Sequence, residues 1–397
     1  MQSEGGKMKA TWLVALSLLA GALLWPAATE PAYQGSVLRF SDLPEIESLQ
    51  VKSRFFGYNS GVKREKTSGE PAYDYSVHII KEGGRYRMYS GARWRRVGVT
   101  HGDGDHVIQH ISKTGLGGSW RMPRNQPEFW QGNEEGHSNT WFSNNYMDPE
   151  VLKVKGIYYM YTQVEIDPES PIDLPGQMAV TQCDRIQLHT SRDGSHWSRW
   201  SKARGVVINL DDPTHTNLHH HEMIYVPWDR DKKPFWMYVV VNINGQHTGH
   251  WRIRSNDPTT YDWKQREVTA GISQLGNQIG YARQAPGGPL FVRITFTGDG
   301  EGRTVPTLQF SRDGLNWFWG DEGPVKLAGS EDQQQNKNCY FLGISTVDGI
   351  GQLEYLGRNT YRAIYGATTS NAPGGMPIFW SDIGVGELVF TIQKKAV

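Results

Sequence analysis

Three acidic side chains stand at the starts of three apolar, strand-like segments. They are Asp74 in Ala72-Tyr73-Asp74-Tyr75-Ser76-Val77, Asp148 in Tyr146-Met147-Asp148-Pro149-Glu150-Val151 and Glu222 in His219-His220-His221-Glu222-Met223-Ile224. Asp74 and Asp148 read as occupants of one slot, each three residues before a valine. Carboxylates drawn from separate segments suit a hydrolysis in which one activates water, a second protonates the leaving oxygen, and a third group tunes the acid. Cleavage of a glycosidic bond requires that set. The chemistry exists only if the fold brings the three segments to one point.

A recurring phrase says how it would. Ser112-Lys113-Thr114-Gly115 running to Trp120 returns as Ser191-Arg192-Asp193-Gly194 to Trp197, Ser255-Asn256-Asp257 to Trp263, Ser311-Arg312-Asp313-Gly314 to Trp317 and, most degenerate, Ser381-Asp382. The intervals, 56 to 79 residues, suit one four-stranded propeller blade with its loops. Alternating runs precede the phrases: Tyr86-Arg87-Met88-Tyr89, Tyr158-Tyr159-Met160-Tyr161, Phe235-Trp236-Met237-Tyr238 and Tyr361-Arg362-Ala363-Ile364-Tyr365. They have the period of a strand with one buried face. Five echoes predict an all-β, five-bladed β-propeller over 33–397, with the innermost strands converging on a central funnel. In the phrase itself, Asp is expected to cap the amides that follow it, Gly to take positive φ, and Trp to pack between blades.

The first 28 residues have the layout of a secretory signal peptide: Lys7 and Lys9, an apolar run from Trp12 to Trp25, then Ala27 and Ala28. A secreted or periplasmic protein without an integral membrane domain is expected. The 41 basic and 41 acidic residues balance, which leaves no basic face for nucleic acid. The aromatic share of 12% suits stacking on the apolar faces of a carbohydrate. The only cysteines, Cys183 and Cys339, fall in separate repeats and read as buried thiols, although an exported chain permits a bridge.

Three sets of residues carry a family resemblance: Asp148-Pro149-Glu150-Val151 with Gly156-Ile157-Tyr158-Tyr159-Met160-Tyr161, the box ending Gly118-Ser119-Trp120, and the Ser-x-Asp-Gly-x-x-Trp turns. Together they resemble the five-bladed β-propeller glycoside hydrolases, the superfamily of arabinanases, β-xylosidases, arabinofuranosidases and invertases. The resemblance implies Asp74 as base, Asp148 as the residue that sets the acid's pKa, Glu222 as acid, and inversion at the anomeric carbon. Asp74 lacks a following Pro and Glu222 a following Gly-Pro, which points to a distant branch. There Glu150, Glu135, His220 or His221 compete for the acid role.

The long polar-aromatic insertion between the first two blades supplies Trp130, His137 and Trp141 as candidate sugar contacts. Arg93 and Trp94 join them from the first blade, His220 and His221 from the third, and Arg283 is expected to reach a charged sugar in the funnel. Adjacent histidines on a strand alternate faces, so 219–221 do not by themselves make a metal site. No cofactor is required, and an axial calcium is the one ion the resemblance leaves open. Competing readings are a non-catalytic glycan-binding propeller and a polysaccharide lyase using Tyr73, His221 and Arg283. A sialidase is disfavoured because Asp193-Gly194 and Asp313-Gly314 are adjacent, without its extra residue.

Overall fold

A computed structural model describes residues 32–58, 73–93, 105–117, 119–121, 146–166, 183–200, 206–209, 215–243, 246–272, 278–298, 304–328, 338–370 and 381–396. The chain divides into Met1–Ala32 and Tyr33–Val397, and the described strands all belong to the second unit. The expected signal segment and the insertion bearing Trp130, His137 and Trp141 lie outside the described residues. Among the described residues no helix is long and apolar enough to cross a membrane.

Five antiparallel blades form the propeller. Their inner strands are Tyr73–Glu82, Tyr146–Val154, His215–Tyr225, Ile279–Ala282 and Asn338–Ile344. In blades 1 to 4 the second and third strands follow by antiparallel pairing, and the alternating runs are the second strands of blades 1, 2, 3 and 5. Blade 5 departs from this plan. Its third strand is the C-terminal Ser381–Lys394, and its fourth is Ile46–Tyr58, which comes from the other end of the chain and carries Gln34–Leu38 on its outer edge. Ser381 therefore opens a strand and makes no box turn, a correction to the fifth echo.

Of the four true boxes, the two that carry both Asp and Gly are built as expected. The Ser191 and Ser311 hydroxyls accept from the amides of Gly194 and Gly314, at 2.9 and 2.8 Å. Asp193 and Asp313 each accept two further amides at 2.8 Å. Each turn then serves the preceding blade. Tyr89 of blade 1 donates its hydroxyl to the Gly194 carbonyl (2.9 Å), Tyr161 of blade 2 to Pro258 (2.8 Å), and Tyr238 of blade 3 to Gly314 (2.8 Å). Trp197 packs edge-on against both Tyr89 and Tyr158, closing the seam between blades 1 and 2. The next position in this series is Ile294, paired across from Leu308, and it faces a blade that lacks a box. The boxes are blade-to-blade fasteners.

At the hairpin end of the axis, residues 346–353 of blade 5 cross beneath the other four blades. Thr346 and Val347 pair in parallel with Ile80 and Lys81 of blade 1. Gly349 accepts from the Lys153 amide of blade 2 at 3.0 Å. In blade 4 the Tyr281 amide donates to Gly351 (2.8 Å), and its carbonyl accepts from Leu353 (3.0 Å). Gly351 has φ +95°, and a Cβ there would stand 2.6 Å from Ile224 of blade 3. This segment floors the funnel, so the inner-strand entries form its mouth.

Candidate functional site at the funnel

The inner strands of blades 1 to 3 each carry a bulge at the same register. The pairing skips between Tyr75 and Val77, between Met147 and Glu150, and between His219 and Glu222. The displaced residues, Ser76, Asp148 and His220, have φ of 52°, 51° and 44°. A left-handed conformation costs a non-glycine residue about 1–2 kcal/mol, and three such positions on neighbouring blades mark a functional constraint.

The three side chains form one chain across the funnel. His220 Nδ1 lies 3.2 Å from Asp148 Oδ2, and the His220 amide donates to Gln163 Oε1 at 3.0 Å. Burial alone would raise the pKa of Asp148. Hydrogen bonds from His220 and Ser76, with the charges of His220 and His221, outweigh it and hold the carboxyl below its ordinary value. The His220 side chain keeps 35% of its surface exposed, against 7% for Asp148. His221 is buried, and burial lowers its pKa despite the opposing charges of Glu150 and Asp148. Of two adjacent imidazoles, the buried one therefore stays neutral, and the open one pairs with the carboxylate.

Two residues further along each inner strand lies a second ring, fixed by the same cross-strand pairing: His78, Glu150, Glu222, then Gln278 and Ser345. All five are buried. His78 Nδ1 is 2.9 Å from Glu150 Oε2, and Gln278 Nε2 is 3.1 Å from His78 Nε2. Glu222 meets the Arg293 guanidinium at 2.5 Å, with both side chains 0% exposed. Glu222 thus lies in the floor ring, ion-paired and shielded from solvent, while His220 holds the open level above it.

The other expected residues distribute unevenly. Asp74 pairs with Ala92 two residues nearer the mouth than Ser76, so it matches Tyr146 and Leu218, and the equivalence with Asp148 is off by two residues. Its side chain, like that of Arg93 at the end of the second strand, lies outside the described residues. Trp94, Trp130, Glu135, His137 and Trp141 also fall outside them. Arg283 is corrected. It follows the last residue of the blade-4 inner strand, at the hairpin end away from the mouth, and lies over the Trp228 ring at 4.0 Å. Cys183 and Cys339 lie on strands of blades 2 and 5.

Ser76, Gln163, His78, Gln278 and Arg293 escaped the sequence reading. A signal for Ser76 and His78 existed: Asp148 with His220 and His78 with Glu150 share a 72-residue separation, and the same step back from Asp148 falls on Ser76. Among the described residues no three His, Cys, Asp or Glu side chains could hold a metal ion.

No protein-family model and no curated protein sequence matches the chain. Solved structures do match. An α-L-arabinofuranosidase from Podospora anserina, in complex with cellotriose, has 10% identity and a TM-score of 0.53, covering 85% of this chain and 96% of its own. A family 117 glycoside hydrolase produced by the marine bacterium Zobellia galactanivorans has 16% identity and a TM-score of 0.52, covering 85% and 90%. A GH62 hydrolase in complex with xylotriose has 10% identity and a TM-score of 0.52, covering 84% and 96%. At such identities the likeness establishes the shared fold.

Proposed function

We propose that the chain is an exported glycoside hydrolase whose centre is the funnel mouth of blades 1 to 3. The observation that carries this reading is the Asp148–His220 pair, a buried carboxylate and a half-open imidazole, both on left-handed bulges of neighbouring inner strands. The glycoside hydrolases among the structural neighbours support it.

In this reading His220, cationic beside Asp148, gives its proton to the glycosidic oxygen as the bond to the anomeric carbon breaks. Asp74 takes a proton from the water that attacks the opposite face, and the configuration inverts. Glu222 loses the acid role because its carboxylate is paired with Arg293 and closed to a sugar oxygen. Asp148 anchors the imidazole and favours its charged form.

The test is reducing-end release from a panel of plant and algal poly- and oligosaccharides, with product anomers followed by NMR. Asp148→Asn, His220→Ala and Asp74→Asn should each lose at least about a hundredfold in kcat, with glycan binding retained. Full activity in His220→Ala would overturn the assignment of the acid. Binding without turnover across the whole panel would favour a glycan-binding propeller.

A further inference from the structure

The floor ring contains a hydrogen-bond chain whose direction the backbone dictates. Gln278 Oε1 receives two main-chain amides, Ile79 from blade 1 at 3.2 Å and Ile344 from blade 5 at 3.0 Å. Amides only donate, so this atom is the oxygen, and the NH2 group must point the other way. It meets the Ile79 carbonyl at 3.3 Å and His78 Nε2 at 3.1 Å. A nitrogen that faces a donor must accept. The ring proton of His78 therefore resides on Nδ1, 2.9 Å from Glu150 Oε2. Glu150 in turn stands two residues below Asp148 on the same strand, and its charge acts on His221.

We propose that Gln278 and His78 are positioning residues, Gln278 fixing His78 as the Nδ1–H tautomer so that His78 holds Glu150 as an oriented anion beneath the Asp148–His220 pair. The proposal rests on the catalytic reading above for its consequence, and on hydrogen-bond direction alone for the tautomer. Fixed there, the Glu150 charge acts on the buried His221, where burial still outweighs it, and Asp148 is the carboxylate paired with the open imidazole. Gln278 is suited to this task because one side chain crosses from blade 4 to bind the backbones of blades 1 and 5. The orientation of the network is thus built into ring closure.

The experiment is 15N NMR of the histidine rings in the full chain at neutral pH, with the His78 signals identified by their loss in His78→Asn. The expected result is a protonated Nδ1 and a bare Nε2. In Gln278→Glu the partner of Nε2 becomes an acceptor, so His78 should gain a second proton and show the imidazolium pattern. A protonated Nε2 in the unaltered protein, or unchanged His78 signals in Gln278→Glu, overturns the proposal whether or not the protein hydrolyses anything. With a substrate in hand, His78→Leu should lower kcat about tenfold or more with little change in KM. His78→Asn, which keeps a donor toward Glu150, should stay within about threefold. Equal losses in the two variants would also overturn it.

Discussion

Glu222 and Arg293 meet at 2.5 Å with neither side chain exposed, and Arg293 occupies the second-strand position that carries Met88, Met160 and Met237 in the first three blades. An ion has replaced a thioether, and a carboxylate on the neighbouring blade answers it. Removing one member strands the other charge, which costs about 3–5 kcal/mol, whereas removing both together is often close to neutral. Arg293→Met alone should therefore be strongly destabilised, and Arg293→Met with Glu222→Gln should recover most of the loss. Urea denaturation of the two singles and the double closes the cycle, and additive effects would contradict this account.

Activity should fall on the alkaline side as His220 gives up its proton. The acid limb should not belong to Asp148, whose carboxyl is held below its ordinary value and stays ionised well into acid. Asp148→Asn removes the charge that favours the imidazolium, so the alkaline limb should move to lower pH in that variant. Profiles of kcat/KM against pH check both statements.

Two histidines away from the funnel govern acid stability. His110 and His189 lie on the third strands of blades 1 and 2. Burial pushes their pKa values down, to about 4 and about 3, with the Arg199 charge adding to the effect on His189. Unfolded, each takes a proton near pH 6.5. Their contribution is therefore complete above about pH 6.5 and is lost as the pH falls toward the folded values, on the order of 3 kcal/mol for His110 and about 5 kcal/mol for His189. Denaturation midpoints between about pH 7 and 4.5 should drop steeply. His110→Met should flatten that slope, and an unchanged slope would remove His110 from the explanation.

Two glycines separate backbone strain from blade contact. Gly314 and Gly323 both have positive φ, +69° and +95°. A Cβ on Gly314 would stand 2.5 Å from the Tyr238 hydroxyl and 2.6 Å from Trp236, while one on Gly323 meets nothing within 4 Å. Gly323→Ala should cost about 1 kcal/mol from conformation alone, and Gly314→Ala several times that by forcing blades 3 and 4 apart. Thermal melts of the two variants decide it.

The blades were legible because most of them repeat a local chemistry, an aromatic-rich strand followed by a turn that opens on Ser. What escaped was non-local or shifted in register by two residues. Ser381 resembles a box, yet it opens a strand whose partners are Thr360–Ser370 and Ile46–Tyr58, and no local pattern reports a pairing between the chain's two ends. Asp74 and Asp148 look alike three residues before valine, but the bulges at Ser76 and Asp148 set the true register. Asp148 and His220 were legible as types, and their contact was not, because it depends on a φ near +50° that sequence does not announce for Asp or His. Arg293 gave no sign at all, since its meaning lies in the methionines it replaces.

The joining of Ile46–Tyr58 to Ser381–Lys394 also sets an order of events in time. A chain made from its N-terminus produces Gln34–Leu38 and Ile46–Tyr58 first and the inward neighbour of Ile46–Tyr58 last. Through nearly all of synthesis Ile46–Tyr58, paired on one side with Gln34–Leu38, keeps its other edge open, the kind of edge that pairs with other copies if it waits too long. Folding can proceed blade by blade from Tyr73 onward, but the circle shuts only when the final strand arrives. The two ends of the polypeptide thus act as a clasp, and a chain cut short at its C-terminus should be lost to aggregation and not survive as a four-bladed protein.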